Sequence, residues 1–181
     1  EVDGNDMQML TRDCEKISEV MSRFGCGEIL FAETSAQKER LWKIRRCLGL
    51  AVKGTTIYKE EDTVVPRAKL PRLLRGVKEI GKEYGFQTIC YGHAGDGNLH
   101  VNIIKGGTSD YDWKHKLPLG IREIFKLVVK LGGTLSGEHG IGWVQKAYLD
   151  IAFDTTQSKL QRSIKKIFDP NNILNPGKIF N

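Results

Sequence analysis

The stretch Tyr91-Gly92-His93-Ala94-Gly95-Asp96-Gly97-Asn98-Leu99-His100-Val101-Asn102 constrains this chain more than any other. Three glycines beside an aspartate and an asparagine favour a sharp backbone reversal, and a histidine lies on each side of it. The apolar run Thr88-Ile89-Cys90-Tyr91 enters the turn, and Leu99 to Ile104 leaves it with alternating apolar and polar side chains. That pattern reads as two strands around a tight glycine-rich turn. A second glycine-framed loop, Thr134-Leu135-Ser136-Gly137-Glu138-His139-Gly140-Ile141-Gly142, carries another of the four histidines. If the loops meet, two imidazoles and a carboxylate form a three-ligand divalent-metal site with an open position, the arrangement used for catalysis.

The flanking sequence bounds the rest. A chain of 181 residues can build one domain with a real core, or one domain plus a small lobe. Its net charge of +6 suits an acidic substrate, an acidic partner surface or nucleic acid. The basic residues are spread over helical faces (Arg40, Lys43, Arg45, Arg46; Arg72, Arg75, Lys78, Lys82) without a basic-plus-aromatic stacking motif, which argues against nucleic acid. The four cysteines include no Cys-x-x-Cys pair, so a reducing, cytosolic setting with free thiols is expected. No apolar run approaches the roughly 18 residues of a membrane-spanning helix. The opening Glu1-Val2-Asp3-Gly4-Asn5 reads like the end of a strand entering a helix, as in a piece of a longer protein.

Apolar spacing predicts helices over 5–24, from Thr34 or Ser35 to about Val52, and over 69–84. Further helices carry Ile121, Ile124, Phe125 and Val128, then 143–149, then Leu160, Ile164, Ile167 and Phe168. Strands are predicted at Glu28–Ala32, Thr55–Lys59 and on either side of the central turn. Glu60-Glu61-Asp62 reads as an acidic connection, Lys105–Asp112 as a polar loop and 172–180 as an extended tail. The order of elements indicates an α+β fold, an antiparallel sheet with helices on one face.

Three motifs stand in order: Gly92-His93-Ala94-Gly95-Asp96-Gly97-Asn98-Leu99-His100, Ser136-Gly137-Glu138-His139-Gly140-Ile141-Gly142, and Phe168-Asp169-Pro170-Asn171-Asn172-Ile173-Leu174-Asn175-Pro176-Gly177-Lys178. Together they resemble the C-terminal domain of FAD-linked oxidases of the glycolate oxidase large subunit, D-lactate dehydrogenase and D-2-hydroxyglutarate dehydrogenase type. Glu1-Val2-Asp3-Gly4 and Leu41-Trp42-Lys43-Ile44-Arg45 extend the likeness over essentially the whole chain. The resemblance implies a ferredoxin-like substrate (cap) domain over 1–132. A C-terminal loop-helical segment, 133–181, would follow and pack on an N-terminal FAD-binding domain outside this chain. It also implies a flavoprotein oxidoreductase with FAD and a divalent metal (zinc, manganese or iron) as cofactors. The cytoplasmic setting is expected from the cysteines and the missing leader, any membrane association being through a partner. Partners would be a small 2-hydroxy-acid substrate, the chain's own FAD-binding domain and an electron-transfer subunit or other acceptor.

By the same resemblance His93, His100 and Glu138 are the metal ligands. His139, next to Glu138, is the candidate general base, an orienting group or a fourth ligand being the alternatives, and an imidazole suits proton transfer near neutrality. Arg45, Lys59 and Asn102 are assigned to the substrate, and Asn175 to the flavin. Gly49 stands where D-2-hydroxyglutarate dehydrogenases carry a hydroxyl side chain, a departure that weighs against that substrate. From the residues alone, a metal-dependent hydrolase and a non-catalytic anion-binding module stay open beside this reading.

Overall fold

The structure, a computed structural model, describes residues 2–54 and 56–180. Glu1, Asn181 and Thr55, the last expected to open a strand, lie outside the described residues. The chain divides into two compact units, Glu1–Gly49 and Leu50–Asn181. These units divide the chain elsewhere than at 132/133, because the segment after 132 shares a unit with the sheet. No helix among the described residues is long and apolar enough to cross a membrane.

The first unit holds helix α1 (Met7–Ser22) and most of α2 (Ser35–Lys53). Asp6 starts α1 by accepting the backbone N–H groups of Gln8 and Met9 at 2.8 and 3.3 Å, which satisfies donors that have no partner inside the helix. Thr34 and Gln37 cap α2 reciprocally, since the Thr34 hydroxyl accepts from Gln37 N and the Gln37 side chain accepts from Thr34 N. The strand predicted at Glu28–Ala32 is not formed. Within this unit there is no second described strand to complete a ladder, and Leu30 and Phe31 are exposed.

The second unit is built on strands β1 (Tyr58–Val64), β2 (Gln87–Tyr91) and β3 (Asn98–Ile104), in the order β1-β3-β2 and antiparallel at each contact. β1 and β2 are therefore parallel to each other and are joined over one face by α3 (Leu70–Tyr84). On the free edge of β1, Val64 exchanges backbone hydrogen bonds with Thr134. A ferredoxin-like sheet places its fourth strand there, and this chain reduces that strand to a single bridge. Helices α4 (Asp110–His115), α5 (Leu117–Lys130), α6 (Leu149–Ala152) and α7 (Thr155–Phe168) complete the unit.

The alternation of β3 sorts its side chains between two faces. Leu99, Val101 and Ile103 join Leu73 and Val77 of α3 with Ile121, Ile124, Phe125 and Val128 of α5 in the apolar core. Asn98, His100 and Asn102 project to the other side and are also buried. β1 begins later than predicted and includes Glu60-Glu61-Asp62, which was expected to be a connection. Strand pairing tolerates these acids because each has a role beyond solvation: Glu60 lies beside His100, Glu61 meets Lys59 and Gln145, and Asp62 meets the 136–139 loop. The expected loop at Lys105–Asp112 already contains the start of α4, capped by Ser109. The tail is turned rather than extended, with Asn172 and Asn175 in the left-handed region at φ 52° and 48°.

Phe125 is fully buried between the sheet and Tyr148, whose ring meets it edge-on at 5.2 Å. Phe125→Ala is expected to lower the stability of this unit by about 3–5 kcal/mol, measured by urea unfolding. A loss under about 1 kcal/mol would contradict this packing.

Candidate metal centre

The polar face of β3 is the floor of the site. Cross-strand pairing sets His100 opposite Asp62, and Asn102 opposite Glu60. Tyr91 of β2 pairs with His100 on the other side, and their rings lie 5.8 Å apart. The turn between β2 and β3 is closed by His93 and Asn98, each donating its N–H to the other's carbonyl at 3.2 Å. Gly97 makes this reversal possible: it has φ +74°, and a Cβ there would collide with the Val65 carbonyl oxygen. The turn folds the His93 ring toward His100, edge-on with centroids 6.0 Å apart.

The second loop brings Glu138 to the same place. Its Oε1 lies 3.5 Å from His93 Nε2, and one donor atom from each of His93, His100 and Glu138 lies within 4.8 Å of the others. Donors sharing a zinc-like ion at about 2.0–2.2 Å stand roughly 3–4 Å apart. The His93–Glu138 spacing already meets this, and the remaining spacing needs only small side-chain adjustments. The Nδ1 of His100 is buried and makes no hydrogen bond among the described residues. Its nearest carboxylates are Glu60 Oε1 at 3.4 Å and Asp62 Oδ1 at 3.9 Å, groups of the type that orient a ligand imidazole when they accept its N–H. Two nitrogens and a carboxylate, with further carboxylates behind one imidazole, fit zinc, manganese or ferrous iron.

Asp62, only 2% exposed, holds this second loop. Its Oδ2 accepts three consecutive backbone N–H groups, those of Gly137 (3.1 Å), Glu138 (2.7 Å) and His139 (3.0 Å), with the Ser136 hydroxyl at 3.4 Å. Its Oδ1 accepts the Asn98 amide at 2.6 Å. Burial pushes the Asp62 carboxyl up, but the N–H groups of Glu138 and His139, the Asn98 amide and the His139 imidazole outweigh it, so the net shift is downward. Gly137 has to be a glycine because a Cβ would overlap the Asn98 amide nitrogen and press on Asp62 Oδ1.

The structure thus gathers four of the residues named from sequence: His93, His100, Glu138 and His139. The His139 ring lies 5.8 Å from that of His100, and its Nδ1 is 4.0 Å from Asp62 Oδ2. Asn102, on the same strand face, is fully buried, and neither end of its amide has a hydrogen-bond partner among the described residues. Lys59 is a correction. It pairs with Ile103 and so points to the helix side of the sheet, where its Nζ is 2.7 Å from Glu61 Oε1. Arg45 lies on α2 in the first unit, its guanidinium 5.3 Å from the Trp42 ring centre.

Asn175 sits in the tail turn, which Asp169 organises by accepting the N–H groups of Ile173 (2.9 Å) and Leu174 (3.0 Å). Sequence reasoning missed Asp62, Asn98 and Glu60. Their signal was the register: a strand starting at Tyr58 puts Glu60 and Asp62 on the face of His100.

Known proteins match the chain over nearly all of its length. The family described as "FAD linked oxidases, C-terminal domain" matches residues 1–179. A D-lactate dehydrogenase of Anaerostipes hadrus is 35% identical over 98% of this chain and 38% of its own length. The glycolate oxidase subunit GlcD of Bacillus subtilis (strain 168) is 34% identical over 99% of the chain and 38% of its own length. A D-2-hydroxyglutarate dehydrogenase of Stutzerimonas stutzeri (strain A1501) is 35% identical over 83% of the chain and 33% of its own length. The chain thus spans 33–38% of the length of these relatives.

The hydrogen bond from Lys165, with the N–H groups of Ile173 and Leu174, holds the Asp169 carboxyl below the usual aspartate range, against a burial effect that raises it. With the folded pKa below the unfolded one, its stabilisation is present above the ordinary aspartate value of about 3.9 and is lost as pH falls through the folded value. Between about pH 5 and pH 3, the urea midpoint of the unsubstituted chain should therefore fall further than that of Asp169→Asn. Parallel acid limbs would contradict the tail clamp.

Proposed function

The chain belongs to the family of FAD-linked oxidase C-terminal domains, and from that premise we propose that it is the substrate- and metal-binding domain of an FAD-dependent 2-hydroxy-acid dehydrogenase or oxidase. The observation that carries this reading is the convergence of His93, His100 and Glu138, with His139 beside them. D-lactate, glycolate and D-2-hydroxyglutarate, the compounds in the relatives' names, share a hydroxyl next to a carboxylate. His93, His100 and Glu138 would hold the divalent ion; the flavin would be held by the rest of the parent protein, with Asn175 as this chain's contribution.

When bound, the ion would supply Lewis-acid attraction for the paired oxygens of such a substrate, and the flavin would supply a two-electron hydride acceptor. The chain's own residues bind, orient and move the proton. His139, whose ring lies 5.8 Å from that of His100, would take the hydroxyl proton as a general base. Asn102, whose buried amide has no hydrogen-bond partner among the described residues, donates its N–H to the substrate. Arg45, with its two-pronged guanidinium, is assigned to the substrate carboxylate; Lys59 is left out of that set because it faces the other side of the sheet. The 133–181 segment packs on the FAD-binding domain in this reading.

Metal content tests the site. The purified chain should hold a near-stoichiometric divalent ion by elemental mass spectrometry, and His93→Ala/His100→Ala should hold none; equal content in both would contradict the ligand assignment. In the FAD-loaded parent protein, anaerobic addition of D-lactate or glycolate should bleach the flavin. His139→Gln should slow that bleaching by about 10²–10⁴-fold. An undiminished rate in His139→Gln would remove His139 from the chemistry.

A further inference from the structure

Three successive N–H groups turned to one point form a concave anion site, and in this chain that point is occupied by a side chain from a neighbouring strand. The donors belong to Gly137, Glu138 and His139, so the last two are the residues that would supply a ligand and the base. Their anion, Asp62, is the direct cross-strand neighbour of His100. One carboxylate therefore fixes the loop that carries two functional residues against the strand that carries a third. We propose that Asp62 is the positioning residue of this centre: its carboxylate sets Glu138 and His139 in register with His100. The proposal rests on the reading of His93, His100 and Glu138 as a cation site and adds what holds that site together.

Two further observations point the same way. Asn98, whose amide donates to Asp62 Oδ1, also donates to the Thr63 carbonyl at 3.1 Å, so the carboxylate is held from behind as well as from the loop. The backbone of Gly137 approaches this pair so closely that no side chain fits between them. An asparagine at 62 keeps the shape but loses the charge, and it can turn an N–H donor toward donors. The loop then has no anion to close on. A centre whose donors must agree to within about half an ångström loses affinity when one of them drifts; for residues that orient metal ligands the loss is about 10–100-fold.

The test compares zinc affinity by titration calorimetry in the unsubstituted chain, Asp62→Asn, Gly137→Ala and Leu73→Ala. Leu73 lies in the core on the opposite face of the sheet, so Leu73→Ala lowers stability without touching the loop. Asp62→Asn and Gly137→Ala should each bind zinc at least tenfold more weakly, while Leu73→Ala binds as the unsubstituted chain does. Gly137→Ala reaches the same clamp from the loop side and decides the matter if Asp62→Asn does not fold.

Proton NMR supplies a readout that needs no metal. The nuclear Overhauser contact between the His100 and His139 rings should vanish in Asp62→Asn, while that between His93 and His100, neither of which is on the loop, persists. Retained zinc affinity together with a retained His100–His139 contact would overturn the proposal. If the unsubstituted chain binds no zinc, the cation reading fails, and the His100–His139 contact alone decides whether Asp62 positions the loop.

Discussion

The bonds from the Asp62 carboxylate to the 137–139 backbone join the sheet to the loop, and the candidate centre depends on that junction. A buried carboxylate is tolerated only where hydrogen-bond donors replace the water it has lost. Here three N–H groups, a hydroxyl and an amide do so. The converse also holds. Three backbone N–H groups in one turn have no helical or sheet partner, and the loop keeps its shape because an anion satisfies all of them at once. Without Asp62, the turn carrying Glu138 and His139 would be held only from its flanks, by the Thr134 bridge and by the buried Leu135 and partly buried Ile141 against the core.

The central strand lets one short segment serve both core and chemistry. Leu99, Val101 and Ile103 anchor β3 against two helices, so His100 and Asn102 project from a backbone that cannot easily shift. Sites built on strands hold geometry better than sites built on loops, and this centre takes one ligand from a strand, one from a tight turn and one from a clamped loop. A parallel device works on the helix side. Glu61, buried within the sheet, is held by Lys59 and accepts the Gln145 side chain at 3.1 Å, so the chain beyond the second loop is also tied to β1. Two adjacent acids, pointing to opposite faces, thus fasten both parts of the 136–149 region.

Much of this was legible in the sequence, and the failures share a cause. The glycine-rich turn, the paired histidines and the Glu138-His139 loop were readable because their residue types have few other uses at that spacing. The α+β class and the positions of α3 and α5 followed from apolar periodicity, as the core of Leu73, Val77, Ile121, Ile124, Phe125 and Val128 shows. The helix expected over 143–149 is instead a 3-10 turn at Lys146–Tyr148 followed by α6. β1 was misread because three acids in a row look like a solvated connection, and their partners come from residues far along the chain, at 98 and 136–145. Lys59 was placed at the substrate by the family resemblance, and only the pairing register, which sets it opposite Ile103, shows that it faces the helix side. Glu28–Ala32 failed for the opposite reason: its apolar content resembles a strand, but pairing needs a partner that composition does not reveal. Asn175 was visible as a motif residue, whereas the turn that presents it depends on Asp169 reaching forward to Ile173 and Leu174.

The convergence of two loops on one cation is the claim on which the functional reading stands, and crystals of the chain grown with zinc test it directly by anomalous diffraction at the zinc edge. The expected result is a single strong peak bounded by His93, His100 and Glu138, with Asp62 still closed on the backbone of 137–139. A peak elsewhere, or none at this site while the Asp62 contacts are intact, would contradict it.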